Sequence, residues 1–308
     1  MAGLTAALEL QKNGWGVTVL DKGRGMGGRL ATRRIDNGRA DHGAQYFSAK
    51  TPDFQQFVAN LQTKGILSEW HLGGIFQNPR FIGTDGMNAI AKYMAKDLTV
   101  KTNEKVVMLS GDKHSCEVVT EFGTHYKADR LIITAPVPQV QTLFEDSQID
   151  ITEAEKATFE SVIYAPCIAV MLSLSRPSKM PLSGYLKFEA GPVAWVADNF
   201  QKGISPLKYT VTIHASAEFS QAQFEADQNQ TGQTMIDCLK EWIELDSIET
   251  VSVHRWRYSL AEKRRIEPFV ICGQSSFPVL IGGDGFGMGN VEGAFVSGLK
   301  MAQHLTKN

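Results

Sequence analysis

The first twenty-one residues restrict the fold more than any other stretch of the chain. MAGLTAALELQKNG places Leu4, Ala7, Leu8 and Gln11 at helical spacing, and Gly14 supplies the stop. Val17, Thr18, Val19 and Leu20 then read as a short buried strand that closes on Asp21. Helix, glycine, strand and acidic residue, in that order, make the second half of a βαβ dinucleotide-binding unit. Gly3 takes the place of the last fingerprint glycine, and Asp21 that of the carboxylate that accepts from an adenosine ribose. The strand and first two glycines of such a unit would lie before Met1. This reading therefore expects a start about ten residues earlier, the length of one strand and its turn.

Glycine clusters extend the pattern. DKGRGMGGRLATRR, residues 21 to 34, follows the strand end with Gly23, Gly25, Gly27 and Gly28, interleaved with Lys22, Arg24, Arg29, Arg33 and Arg34. A flexible basic loop would share this composition. Directly after an acidic strand end, however, close-folding glycines and bidentate guanidiniums read as a diphosphate cradle. The second cluster is VLIGGDGFGMGNVEGAFVSGLKMAQHL, residues 279 to 305. Here Val279, Leu280 and Ile281 form a strand, Gly282 and Gly283 break it, and Asp284 follows. After Gly285, Gly287 and Gly289, a helix is expected from about Val291, carrying Glu292 and Ala294 in its first turn. Its N-terminus can face an anion or an electron-rich ring.

Composition excludes several other classes. Lys+Arg 31 against Asp+Glu 33 leaves a net charge of -2, which gives no global electrostatic basis for binding nucleic acid or an anionic membrane. No apolar run approaches the roughly 18 residues of a spanning helix, and the N-terminal pattern is amphipathic, without a basic leader. Cys116, Cys167, Cys238 and Cys272 lie far apart, with no metal-ligand spacing, and read as reduced, mostly buried thiols of a cytoplasmic protein. No metal is expected.

The glycine near position 3, the acidic strand end, the GGR of Gly27 to Arg29 and the GGD…VEGA…SG series together resemble FAD-dependent oxidoreductases of the glutathione-reductase and amine-oxidase type. DKGRGMGGRLATRR, DHGAQYFSA (41 to 49) and HRWRYSLA (254 to 261) are similar, more narrowly, to the renalase family and its bacterial members. The resemblance runs through nearly the whole chain and is weakest between residues 140 and 250. It implies an α/β (α+β) protein: a Rossmann-like FAD-binding domain plus an inserted mixed-sheet substrate domain. The expected partition gives residues 1–47, 83–136 and 250–308 to the FAD-binding domain, and 48–82 and 137–249 to the substrate domain.

Between the clusters, Asp36, Asn37 and Gly38 mark a hairpin turn. Thr51 and Pro52 open a helix with Phe54, Phe57, Val58 and Leu61 on one face. Residues 66 to 82 read as extended, and Gly86 to Ala95 as a helix. Strands are expected at 98–102, 105–110, 116–122, 130–134, 165–174, 193–198 and 208–215. A long helix is expected over about 219–245, with Phe224, Ile236, Leu239 and Ile243 on one face.

The resemblance implies a non-covalently held FAD. It adds Gly43, Ala44 and Gln45 as flavin contacts and Val106 as a backbone contact to adenine, beside Gly3, Asp21, Lys22, Arg24, Gly28, Arg29, Gly283, Asp284, Val291, Glu292 and Ala294. The implied substrate is a dihydronicotinamide dinucleotide whose hydride sits at the wrong ring carbon, with O2 taking the electrons to give hydrogen peroxide. A dihydropyridine becomes aromatic when it loses hydride, so orientation supplies most of the catalysis and no strong base is needed. Accordingly no catalytic acid or base is assigned. Tyr46, Trp195, His214, Trp256 and Tyr258 are pocket candidates, each also readable as a packing residue, and His254 is a further polar contact. Arg255, Arg257, Lys263, Arg264 and Arg265 form the densest basic stretch, either a phosphate contact or a solvated face. Two alternatives stay open: a flavin amine oxidase, and a truncated, cofactor-free protein.

Overall fold

The computed structural model describes residues 1–73, 78–273 and 277–307. Two compact units make up the chain: Met1–Gly28, Ala91–Tyr164 and Ala261–Asn308 in the first, Arg29–Ile90 and Ala165–Leu260 in the second. These boundaries differ from the expected partition. Residues 29–47, 83–90 and 250–260 pack within the second unit, and 137–164 within the first.

The first unit is Rossmann-like. Its opening helix, Ala2–Lys12, leads through Gly14 to the strand Thr18–Asp21, which runs parallel to Thr99–Thr102 with Asp21 opposite Thr102. A second parallel pair joins Leu131–Ile133 to Val279–Gly282, and Phe269–Cys272 adds antiparallel to the latter. The chain closes with an 18-residue helix, Asn290–Lys307. Ala6, Leu10, Leu280, Met301, Ala302 and Leu305 form one core between the two helices and the sheet. A larger core gathers Val137, Val140 and Phe144 of the helix Val137–Asp146, Phe159 of Glu153–Glu160, and Leu109, Val118, Val279 and Ile281 of the strands.

The two terminal helices touch backbone to backbone. A Cβ added to Gly298 would lie 2.2 Å from the Ala2 carbonyl oxygen and 3.0 Å from its carbon. Gly298→Ala must therefore part the helices, and we expect a loss of about 1–3 kcal/mol in urea unfolding. Gly16→Ala, where nothing lies within 4 Å, should change stability by no more than about 0.5 kcal/mol.

The second unit is built on a five-stranded sheet in the order Tyr185–Lys187, Val193–Asp198, Tyr209–Ala215, Ile163–Leu174, Ile248–Lys263. Side chains alternate across it. One face carries Ile168, Val170, Leu172, Val196, Val211 and Ile213 into a core with Met235, Ile236, Leu239 and Ile243. The other presents Trp195, His214 and Ala169 in one cross-strand row. Against that face lies the hairpin of Thr32–Ile35 and Gly38–Asp41, with Ile35 and Ala40 packed on Met171. Its turn residue Asp36, at φ 49°, accepts from the hydroxyls of Ser173 and Thr250. These contacts explain why residues 29–47 group here.

The long helix expected over 219–245 is not formed. Ala217–Gln223 and Gln228–Asp237 are separate helices, and a 3-10 turn follows at Leu245–Ser247. Asp227 ends the first by capping the second: its carboxylate accepts from the Gln230 amide at 2.9 Å. Ile236, Leu239 and Ile243 still reach one core, so the periodicity survives the break that the cap imposes.

Candidate active site

Each unit brings its own set of candidate residues together. In the first, the carboxyl ends of the parallel strands assemble what the sequence scatters. Asp21 ends its strand half-buried, and its Oδ1 accepts from the Gly23 amide at 2.8 Å. A Cβ on Gly23 would press on that carboxylate at 3.1 Å, so the turn requires glycine. The Asp21 and Gly23 carbonyls accept from the Glu104 and Asn103 amides, both at 3.0 Å, which brings the start of the strand Val106–Gly111 beside the acidic end. Lys22 donates to Gln139 Oε1 at 3.0 Å, and Arg24 is exposed.

Beyond the end of the strand Leu131–Ile133, in the unit's other parallel pair, Thr134 links two predicted glycines: the Cβ position of Gly3 lies 3.1 Å from its hydroxyl, and that of Gly283 lies 3.6 Å from its carbonyl. Gly283, at φ 130°, holds a backbone that other residues rarely adopt, and its amide donates to Ser297 Oγ at 2.8 Å. Asp284 leads to the closing helix, whose first turn contains Val291, the buried Glu292 and Ala294. A carboxylate at a strand end, glycine amides in close turns and a helix start at the carboxyl ends of parallel strands are the donor and acceptor set a dinucleotide requires. The residues present fit FAD.

In the second unit the DHGAQY segment is locked by backbone contact. Ala44 donates to the Arg29 carbonyl at 2.8 Å, and a Cβ on Gly43 would stand 2.1 Å from that same oxygen. Gly43 is thus required for packing regardless of any ligand. Arg29 in turn donates to the carbonyls of Tyr258 and Ser259 at 3.1 and 3.4 Å. Phe47 pairs with Phe81, and between these fixed points Tyr46 joins an aromatic cluster. Its ring centroid is 5.6 Å from Trp195 and 6.1 Å from Trp70, and Tyr185 stacks on Trp195 at 4.8 Å. The Arg80 guanidinium lies 5.4 Å over Tyr46 and the Lys202 ammonium 5.0 Å over Trp70. The Trp195 indole N–H is buried without a hydrogen-bond partner among the described residues.

Beside this cluster, the sheet residues converge on His42. Its carbonyl accepts from Trp256 Nε1 at 2.7 Å and from His214 Nε2 at 3.2 Å, which places the His214 ring proton on Nε2. The His42 ring stands 5.4 Å from Trp256 and 5.0 Å from His254. Burial pushes His42 down to about 3, with help from His254 and Arg33, and pushes His214 down to about 4, with help from Lys202. His254 is lowered by burial and by Arg33. These three rings are neutral at pH 7. Lys202 and Asp41 form an ion pair at 2.8 Å with both side chains fully buried. Burial holds the Lys202 ammonium below its usual range, against the pull of Asp41.

Of the candidates, Tyr46, Trp195, His214 and Trp256 come together here. Tyr258 follows on the same face of its strand, two residues beyond Trp256. Gln45 is turned inward: its amide nitrogen donates to the carbonyls of Asp41 at 2.6 Å and Gly43 at 3.2 Å. Arg255 and Arg257 point to the opposite face, where both guanidiniums lie over Phe224 and Arg257 pairs with Glu225 at 2.6 Å. Alternation along the strand, with Val253 on the Arg255 side, could have shown this. Trp70, Arg80, Tyr185, Lys202 and Asp41 were not among the expected site residues. The only sequence signal for the last pair is the rarity of fully buried charges.

Residues 61–306 match the flavin containing amine oxidoreductase family, and residues 1–61 match an NAD(P)-binding Rossmann-like domain. Renalase of Mus musculus is 24% identical over 316 residues, covering 93% of this chain and 90% of that protein. Among solved structures, wild-type putrescine oxidase bound to putrescine superposes with a TM-score of 0.72 at 16% identity, over 100% of this chain and 97% of that one. A putative protoporphyrinogen oxidase from Exiguobacterium sp. 255-15 gives 0.70 at 12% identity, over 99% and 97%. At those identities the structural likeness speaks for the fold.

Proposed function

Because this chain belongs to the flavin containing amine oxidoreductase family, we propose that it oxidises dihydronicotinamide dinucleotides carrying their hydride at the wrong ring carbon, the 2- or 6-dihydro isomers of NAD(P)H, to NAD(P)+. It is an FAD-dependent oxidoreductase of amine-oxidase type with renalase homology. The charge of the aromatic cluster carries the substrate reading. Arg80 lies over the Tyr46 ring and Arg33 adjoins His42 and His254, while the Lys202 ammonium and the Asp41 carboxylate cancel one another. Such surroundings repel an alkylammonium and favour a pyrophosphate-bearing substrate.

Bound FAD supplies the hydride acceptor and the electron path to O2, with hydrogen peroxide as product. Asp21 would hold the adenosine ribose; the amides around Gly23 and Gly28, with Lys22 and Arg24, the diphosphate; and Val106 the adenine. Gly3, Gly283, Asp284, Val291, Glu292 and Ala294 of the same unit would complete these cofactor contacts. Tyr46 and Trp195 orient the dihydropyridine by ring contact and exclude water, with His214, Trp256 and Tyr258 along the same face. Loss of hydride leaves an aromatic pyridinium and no proton to remove, which suits neutral histidines and a lysine already paired.

Asp21→Ala removes the acceptor that we assign to the adenosine ribose. A charged hydrogen bond is worth about 1.5–3 kcal/mol, so FAD should bind roughly 10- to 100-fold more weakly to the apoprotein by fluorescence titration. FMN, which lacks that ribose, should bind the variant as it binds the wild type. The function itself is tested by stopped-flow reduction of the bound flavin. Rapid bleaching is expected with 2- and 6-dihydro-NAD(P), and slow bleaching with ordinary 4-dihydro-NAD(P)H and with putrescine. Faster reduction by amines or by the ordinary isomer would overturn it.

We place this activity in the cytoplasm. All four cysteines are free thiols, and burial pushes Cys167 and Cys272 up to about 12, although Cys238 is exposed. Among the described residues no helix is long and apolar enough to cross a membrane.

A further inference from the structure

We infer that Lys202 is a positioning residue, its buried ammonium fixing the 41–46 segment and the aromatic wall that this segment carries, and that it neither touches substrate nor moves a proton. The inference rests on the reading that the Tyr46–Trp195 wall faces the substrate. Three contacts surround the ammonium: Asp41 Oδ2 at 2.8 Å, Gln45 Oε1 at 3.4 Å, and the face of Trp70 at 5.0 Å. Its side chain is fully buried, leaving no exposed direction in which to meet a ligand.

Each partner is itself anchored. Asp41 Oδ1 accepts from Thr32 Oγ1 at 2.6 Å and from the Met87 amide at 2.9 Å, so the carboxylate cannot follow the lysine if the lysine moves. Gln45 presents its oxygen to Lys202 and returns its nitrogen to the Asp41 and Gly43 carbonyls, closing the loop around the charge. Trp70 donates its indole N–H to the Ser183 carbonyl at 3.0 Å. Lys202 is held from behind as well. Its amide donates to the Asp198 carbonyl at 2.9 Å, and the Asp198 carboxylate accepts from the Phe200 and Gln201 amides and from Ser178. The lysine thus joins the end of the strand bearing Trp195 to the segment bearing Tyr46 and to Trp70. The titratable groups around it are Asp41 and His214, and Asp41 satisfies its charge.

The test compares the flavin-loaded wild type with Lys202→Met and with the charge-free pair Asp41→Asn/Lys202→Met. In the pair, the amide oxygen introduced at position 41 can still accept from Thr32 and Met87, and no charge is stranded. Near-UV circular dichroism and tryptophan emission report the wall without any substrate. KM and kcat for a dihydronicotinamide isomer report its use. Lys202→Met should change both spectra and raise KM roughly 10- to 100-fold, with a smaller change in kcat and no new ionisation in the pH profile of kcat. The pair should recover the spectra and bring KM back to within about threefold of wild type, because the chain rather than the ammonium meets the substrate. If the pair stays as impaired as the single variant, or if Lys202→Met alters neither spectra nor KM, the positioning role is wrong. Should Lys202→Met fail to fold, the pair decides alone by the same two readouts. If no dihydronicotinamide reduces the wild type, the substrate reading fails, while the spectra still decide the role of Lys202.

Discussion

Asp41→Ala is expected to lower the stability of the protein by about 3–5 kcal/mol, the usual cost of stranding one member of a buried ion pair. The variant loses more than the pair, because Asp41 also accepts from Thr32 and from the Met87 amide just ahead of the helix Asn88–Met94. The sign of its pH dependence follows from the lysine. Without Asp41, burial acts unopposed on a group it already holds below the usual range, so Lys202 sheds its proton at a lower pH than in the wild type. Between that lowered value and the unfolded one, the lysine of the folded variant binds fewer protons than that of the unfolded chain, so the penalty shrinks as pH rises toward the unfolded value. Urea unfolding at pH 7 and pH 9.5 checks both points: a large loss at the first, a smaller one at the second. A loss under about 1 kcal/mol would mean that water reaches the pair.

The contrast between Asp21 and Asp41 shows which parts of this protein can be read from its sequence. Asp21 was legible because its place in the fold is local: helix, glycine, strand and carboxylate follow one another, and the structure keeps them in that order. The glycine loop before Asn290 was legible for the same reason. Asp41 and Lys202 are 161 residues apart, and nothing in either neighbourhood names the other. Trp70, Tyr185 and Trp195 likewise meet only through sheet register and a side-chain bond to Ser183. The helix expected over 219–245 is interrupted for a different reason. Apolar periodicity reports which residues face a core, and two short helices separated by an Asp227 cap can preserve that facing. The strand Ile248–Lys263 was obscured by charge: its outward row carries Arg255 and Arg257, and its inward row holds His254 and Trp256 in place of aliphatic residues. Unlike a half-buried strand, this one has polar groups on both faces, so alternation of hydrophobicity is lost.

The buried histidines His42 and His214 produce the second large effect, a fall in stability on acidification that leaves the chemistry of the folded enzyme unchanged. His42 and His214, at about 3 and about 4 in the folded protein, regain an ordinary value near 6.5 when the chain unfolds. Folded values below unfolded ones mean that the unfolded chain binds more protons below pH 6.5, so stability is complete above that pH and is lost as pH falls toward 4. At pH 5 each histidine should cost about 2 kcal/mol relative to pH 7.5, or about 4 kcal/mol together. His42→Asn/His214→Asn should flatten the stability profile between pH 7.5 and 5, measured as the shift in urea midpoint. Reduction of the bound flavin per folded enzyme, by contrast, should stay level from pH 6.5 to 8.5, since the rings are already neutral there and Lys202 is held by Asp41. A rate that climbs tenfold per pH unit across that window would require a base whose value lies at or above its upper end. Neither histidine can supply one, so such a result would move the chemistry away from a hydride donor that needs none.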